Sequence, residues 1–151
     1  MPITFKLSQI MIVKIKKTHP DAVIPFYSKP GDAGMDLTAV SDFIDSDGNY
    51  VYDTGIAVEI PEGFVGLLFP RSSVCKTGLS LTNCVGVIDS GFRGSISFKF
   101  KPLYAHNISP YIAGDRVGQM IIMPYPNIQF EESEELSTTD RSNSGYGSTG
   151  R

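Results

Sequence analysis

The segment Pro70-Arg71-Ser72-Ser73 sets a guanidinium and two hydroxyls side by side after an apolar run, Phe64 to Phe69. Such groups at one strand end, with the first turn of a short helix behind them, favour an anion. The ordinary alternative is a solvated arginine followed by capping serines. Further on, Gly86 to Phe98 reads GVIDSGFRGSISF, a hairpin expected to turn around Ser90 to Gly94 with Asp89 just inside it. The ordinary reading of Asp89 is a turn aspartate bonding nearby N–H groups. Phe92 lies in the same polar turn, where it has little to bury, which points to contact with something beyond the turn. Gly114-Asp115-Arg116 reads most simply as a turn with an ion pair before another strand. The tail, RSNSGYGSTG from Arg141 to Gly150, fits GxGxxG at its end. No strand precedes it closely and no helix follows, so it is not a dinucleotide fingerprint. Its N–H groups, hydroxyls and the Arg141 guanidinium are nevertheless groups that grip phosphate.

These residues need a rigid scaffold, and the composition says which kind. The 151 residues amount to one domain at roughly 150 residues per domain. Val and Ile number 25 against 14 Ala and Leu, with 9 Phe, 7 Tyr, 15 Gly and 10 Pro. Branched and aromatic side chains suit a pleated surface and Gly and Pro suit turns, so an all-β fold is expected and a helix bundle is excluded. Strands are expected at Met11 to Ile15, Gly55 to Ile60, Phe64 to Phe69, Ser95 to Lys101, Val117 to Met123 and Asn127 to Glu131. In the fourth of these, strict alternation puts Ile96, Phe98 and Phe100 on one face. PGDAG, DSDGN, PEG and AGD punctuate the chain as turns. Many short strands so divided argue for a sandwich or jelly roll. One short helix is expected near Arg71 to Thr77, capped by Ser72 or Ser73. The domain reading is an extension over residues 1–10, a β-core over 11–131 and a flexible Gly/Ser-rich arm over 132–151.

Charge and cysteine usage bound the partners. The net charge of −3 offers no overall basic field for a nucleic acid. No apolar run approaches the roughly 20 residues of a membrane span, and the N-terminus does not read as a signal peptide. Cys75 and Cys84 make no CxxC, and with His19 and His106 the only histidines, a dense metal cage is not expected. The expected location is the cytoplasm, that of the host cell if the chain is viral or from a phage, with the nucleus left open.

Taken in order, DAGMDL (Asp32 to Leu37), PRSS (Pro70 to Ser73), GVIDSGFRG (Gly86 to Gly94), GDRVGQMI (Gly114 to Ile121) and RSNSGYGSTG (Arg141 to Gly150) closely resemble the five sequence blocks of the trimeric dUTPase family. The resemblance runs from about Met11 to Gly150. It implies a distorted all-β jelly roll assembled as a homotrimer with a swapped C-terminal arm. Each site would take its first, second and fourth blocks from one subunit, its third from another and the arm from the third. The implied reaction is hydrolysis of dUTP to dUMP and pyrophosphate, with Mg²⁺ on the triphosphate. Such a reaction keeps uracil out of DNA and supplies dUMP for thymidylate synthesis.

Carried residue by residue, the resemblance makes Asp89 the base that deprotonates the attacking water. Asp36 would hold Mg²⁺ through its water shell, and Ser72 would donate near the bridging oxygen. Arg71, Ser73 and Gln119 would line the phosphate path, with Arg116 supporting it. Arg141, Gly147, Ser148 and Thr149 would close over the phosphates, with Tyr146 stacking on uracil. The backbone of Asn83, Gly86, Val87 and Ile88 would read the base edge, with the Asn83 side chain contributing, and Phe92 would pack under the deoxyribose. The chain departs from the family in having Phe92 where Tyr is usual, Gly91 where an acid is frequent, Ser142 and Ser144 for glycines, and Tyr146 for Phe. Phe92 also resembles the IDPGF hairpin of the related dCTP deaminases. Those enzymes need a glutamate where this chain has Lys99, which argues against deamination. A regulatory, protein-binding member of the family is the other alternative.

Overall fold

The computed structural model describes Ile10 to Gly145. Its elements are β1 (Lys14–Lys17), β2 (Met35–Thr38), β3 (Ser41–Ile44), β4 (Tyr50–Asp53), β5 (Ile56–Glu59), β6 (Phe64–Phe69), a 3-10 turn (Ser72–Lys76), β7 (Leu79–Leu81), β8 (Gly86–Ile88), β9 (Ser97–Pro102) and β10 (Arg116–Pro124). They form two four-stranded sheets, ordered β2-β10-β6-β8 and β3-β4-β9-β7, and a ribbon of β1 with β5. Every pairing is antiparallel. The all-β class read from composition, and the two-sheet architecture expected from many short strands, are therefore what is observed.

The sheets bury one core between them. Leu37, Leu68, Val117 and Met120 from the first meet Leu79, Leu81, Tyr52, Phe98 and Phe100 from the second, with Ile56 and Val58 of the ribbon alongside. The predicted alternation holds: Ile96, Phe98 and Phe100 are 1%, 1% and 0% exposed. A Cβ at Gly118 would overlap the Phe98 ring, so a glycine in β10 lets the two sheets close on each other at this point.

Several expectations change. The first strand begins at Lys14 rather than Met11, because its partner is β5 and the register starts at Lys14 opposite Glu59. No strand forms over Asn127 to Glu131; among the described residues regular structure ends at Pro124, and Phe130 is 92% exposed. The short helix is a 3-10 turn whose N-cap is Arg71, with no side-chain cap from Ser72 or Ser73. The largest correction concerns Gly86 to Phe98, which is not a hairpin. β8 pairs with β6 in one sheet and β9 pairs with β4 and β7 in the other, so the turn carries the chain across the sandwich. A turn signal reports that the chain reverses, not which sheet receives it.

Candidate active site

Asp36 organises the first cluster. An isolated bridge between Phe26 and Asp36 brings the Ser28 segment alongside β2, and β10 pairs with β2 on the other side. The Asp36 carboxylate, on a residue 8% exposed, accepts from Arg71 Nε on Oδ1 at 3.0 Å. Its Oδ2 accepts from Ser28 Oγ at 2.8 Å and from Arg116 Nη1 at 2.8 Å. Burial would raise this carboxyl, but the Ser28 hydrogen bond and the charges of Arg71 and Arg116 outweigh it and hold the pKa below the ordinary value. One carboxylate therefore aligns two guanidinium groups. A guanidinium carries five N–H donors, so Arg71 keeps donors free for an anion after binding Asp36.

Beside this cluster opens a pocket of about 640 Å³, lined among others by Asp32, Gly34, Arg71, Ser72 and Gln119. The Gln119 amide is fixed by donating Nε2 to the Pro70 carbonyl at 3.1 Å. A Cβ at Gly34 would overlap Gln119 Oε1, so the glycine of DAGMDL makes room for that side chain. Asp36, Arg71, Ser72, Gln119 and Arg116 thus come together as expected. Ser73 does not join the lining: its hydroxyl meets the Tyr111 hydroxyl at 3.1 Å. Ser28 and Gly34 were missed by sequence reasoning. Gly34 stood inside a recognised block, whereas no spacing signal tied Ser28 to Asp36.

Substituting Asp36→Asn would place an amide N–H against donors and leave Arg71 and Arg116 facing each other unneutralised. Near pH 7 the expected loss is roughly 2 kcal/mol, below that of a fully buried pair because the Arg116 side chain is 43% exposed. The lowered pKa sets the pH dependence. The carboxylate's contribution is complete above its unfolded pKa, near 4, and is lost as pH falls through the lower folded value. Urea unfolding of both proteins checks this: the gap between them must be widest near neutral pH and shrink in acid. A gap that does not change with pH would mean that the carboxylate's charge is not what stabilises the cluster.

The second cluster lies elsewhere. A pocket of about 240 Å³ opens where β8 and β9 part, lined by Leu68, Leu81, Thr82, Asn83, Gly86, Ser97, Phe98 and Lys99. Asn83 and Gly86 are here as expected; Ser97, across the slot, was missed because the hairpin reading put β9 next to β8. Val87, 60% exposed, and Ile88 do not line this slot. Lys99 reaches Asp45 at 2.9 Å and is committed to that ion pair, which holds the Asp45 carboxyl well below its usual range.

Asp89 follows β8 in an exposed turn closed by the Phe92 N–H donating to the Asp89 carbonyl at 3.0 Å. The Arg93 guanidinium braces the turn by donating to the Ser90 and Phe92 carbonyls. The Phe92 ring lies against Gly94 and remains 43% exposed. Among the described residues, no hydrogen bond or ion pair engages the Asp89 carboxylate, which leaves it free to accept from a water. The register matters here. Ile88 faces Gly66 and Gly86 faces Leu68, so β8 runs antiparallel to β6 and leads Asp89 away from the end of β6 that continues into Arg71.

Arg141 is exposed, and its Nε donates to the Ser144 carbonyl at 3.1 Å. Every residue from Met123 to Ser144 is exposed. Tyr146, Gly147, Ser148 and Thr149 lie outside the described residues.

The donor set can be tested against Mg²⁺. Among the described residues no three His, Cys, Asp or Glu side chains converge. Both Asp36 oxygens already accept from cationic donors, so a direct metal bond would displace a guanidinium. One lone pair on Oδ1 remains for a metal-bound water. That fits a strongly hydrated ion carried by phosphate oxygens, not a protein cage.

A model of the dUTPase family matches residues 20–150. The deoxyuridine 5'-triphosphate nucleotidohydrolase of Corynebacterium glutamicum is 40% identical over 147 residues, covering 96% of this chain and 97% of its own. That of Hydrogenobaculum sp. is 37% identical over 143 residues, 93% of this chain and 99% of its own. Among solved structures, a single-residue variant of the Staphylococcus bacteriophage 80alpha dUTPase with dUpNHpp superposes with a TM-score of 0.81 at 26% identity, covering 93% of this chain and 99% of that one. A variant of the dUTPase of phage phi11 of S. aureus, described with a structural Mg(II) ion, gives a TM-score of 0.71 at 26% identity over 83% of this chain and 99% of that one.

Proposed function

This chain belongs to the dUTPase family, and we propose that it hydrolyses dUTP to dUMP and pyrophosphate by water attack on the α-phosphorus. The observation that carries this reading is the pocket in which one buried carboxylate pins Arg71 beside Ser72 and Gln119, with Arg116 held on the same carboxylate. A triphosphate is the nucleotide portion that calls for paired, pre-aligned guanidinium groups. The slot lined by Asn83, Gly86 and Ser97 suits a planar base read at its edge by strand-end backbone. Asp89 accepts the proton of the attacking water, and Ser72 donates toward the oxygen that leaves. Phe92 packs under the deoxyribose. Arg141 closes over the phosphates, and the reading gives Tyr146, Gly147, Ser148 and Thr149 the rest of that closure. Bound Mg²⁺ would neutralise charge on the departing pyrophosphate; Asp36 would hold its water shell through the remaining Oδ1 lone pair.

The geometry also supports a shared site in a homotrimer. Asp89 and its own Arg71 lie toward opposite ends of β6, which supports a reading in which the base of one chain serves the phosphate pocket of another. The apolar side chains of the exposed C-terminal segment, Ile128 (64% exposed), Phe130 and Leu136, have no burial within one chain and suit docking on a second copy. Free dUTP as substrate puts the enzyme with the deoxynucleotide pool of the cytoplasm, where it limits uracil incorporation and supplies dUMP for thymidylate.

Pyrophosphate release from dUTP, dCTP, dTTP and UTP, with and without Mg²⁺, tests the reading. Rapid Mg²⁺-dependent release from dUTP alone is expected. Ammonia release from dCTP at a comparable rate would overturn it in favour of deamination.

A further inference from the structure

Tyr111 lies in the segment between β9 and β10, outside every residue assigned a part in the reaction so far. Its ring packs edge-on against Tyr52 at 6.0 Å between centroids and tilted against Phe100 at 6.0 Å. Its carbonyl accepts from the Tyr52 hydroxyl at 2.9 Å. Tyr52 and Phe100 are both 0% exposed, so backbone and ring are fixed to the deepest part of the core. Only the hydroxyl end reaches out, and it meets Ser73 Oγ at 3.1 Å.

Ser73 belongs to the 3-10 turn that carries Ser72 and follows Arg71 directly. Val74 anchors the turn on the core and Arg71 ties its start to Asp36, but the turn has no side-chain N-cap and no fully buried residue, and the Tyr111 hydroxyl is the side-chain partner described for Ser73. Short 3-10 turns have poor internal hydrogen-bond geometry, so their placement depends on outside ties. We propose that Tyr111 is a positioning residue of the reaction. Its hydroxyl clamps Ser73 and so sets the angle at which Ser72 faces the phosphate pocket.

The inference rests on the dUTPase reading and gives Ser73 a different part from direct phosphate contact. A donor acting on a leaving oxygen is sensitive to sub-ångström placement, so the loss on removing the clamp belongs in turnover more than in nucleotide binding. The ring of Tyr111 carries the packing and its carbonyl carries the Tyr52 bond; Tyr111→Phe keeps both and removes only the tie.

The test uses the full chain and five proteins: the parent, Tyr111→Phe, Ser72→Ala, the double variant of these two, and Ser73→Ala. Tyr111→Phe is expected to lower kcat about tenfold with KM changed less than about twofold, since one hydrogen bond and the placement it secures are lost. In the Ser72→Ala background the same change should cost less than about twofold, because there is no longer a donor to aim. Ser73→Ala should reproduce the loss of Tyr111→Phe. A purely structural tyrosine would lower the melting midpoint and subtract equally in both backgrounds; equal losses in both, or an unchanged kcat, overturn the inference. A parent chain that neither hydrolyses dUTP nor binds dUpNHpp overturns the dUTPase reading and this inference with it. An active parent with an unaffected Tyr111→Phe overturns this inference alone.

Discussion

Asp89→Asn is expected to cut turnover by roughly 10²-fold or more, the loss typical when a positioned base is removed. Binding of dUpNHpp should stay close to that of the parent. The reason lies in how the turn is held. The Asp89 carbonyl and the Phe92 N–H close it through backbone, Arg93 braces it through two carbonyls, and Ile88 fastens it to β6. None of these ties uses the Asp89 carboxylate. An amide of the same shape therefore leaves the turn, the base slot and the Phe92 ring in place. What it lacks is the capacity to take a proton, and its N–H₂ would point the water's lone pair the wrong way. Pyrophosphate release under saturating dUTP gives the turnover, and titration with dUpNHpp gives the affinity. An Asp89→Asn chain that turns over like the parent would remove Asp89 from the role of base.

Deleting the chain after Asp140 is expected to abolish most activity while leaving a folded assembly. Regular structure ends at Pro124, and the apolar side chains suited to docking on another copy, Ile128, Phe130 and Leu136, all precede the cut. The hydrogen bonds described beyond it stay local: Arg141 bonds Ser144, and Ser142 bonds Thr139. The deletion thus removes the residues to which the proposed reading gives closure over the phosphates, and it would readmit water to the reacting phosphate. Mixing the truncated chain with Asp89→Asn tests the sharing of sites. Some sites in mixed trimers would take Asp89 from a truncated chain and the arm from the other variant. Activity should then rise above that of either variant alone. If mass measurement shows exchanged subunits and no activity returns, the site is not assembled from several chains.

The contrast between these two groups, one well fastened and one free, shows how far local pattern reaches. Arg71, Ser72, Asp89 and Arg116 could be picked out along the chain because charge, hydroxyls and turn residues are local properties. The same holds for Ile96, Phe98 and Phe100, since a period of two needs only a pleated backbone to send alternate side chains to one face. β6 was read with its observed ends, Phe64 and Phe69, because a glycine-bearing turn precedes it and a proline follows.

What the sequence by itself determined is the class of the fold, the residue types available at the candidate site and about half of the strand positions, because each follows from the preferences of neighbouring residues; β2, β3, β4 and β7 carry no such local signal. What only the tertiary structure decided is partnership. Ser28 bonds Asp36 because an isolated bridge brings their segments together. Ser73 turns to Tyr111, 38 residues away, because the core fixes that ring. β8 and β9 lie in different sheets, so Ser97 faces Asn83 across a slot and Asp89 is carried away from Arg71. Contacts between distant segments are selected by the sum of packing and backbone pairing over the whole chain, and no short stretch of residues contains that sum.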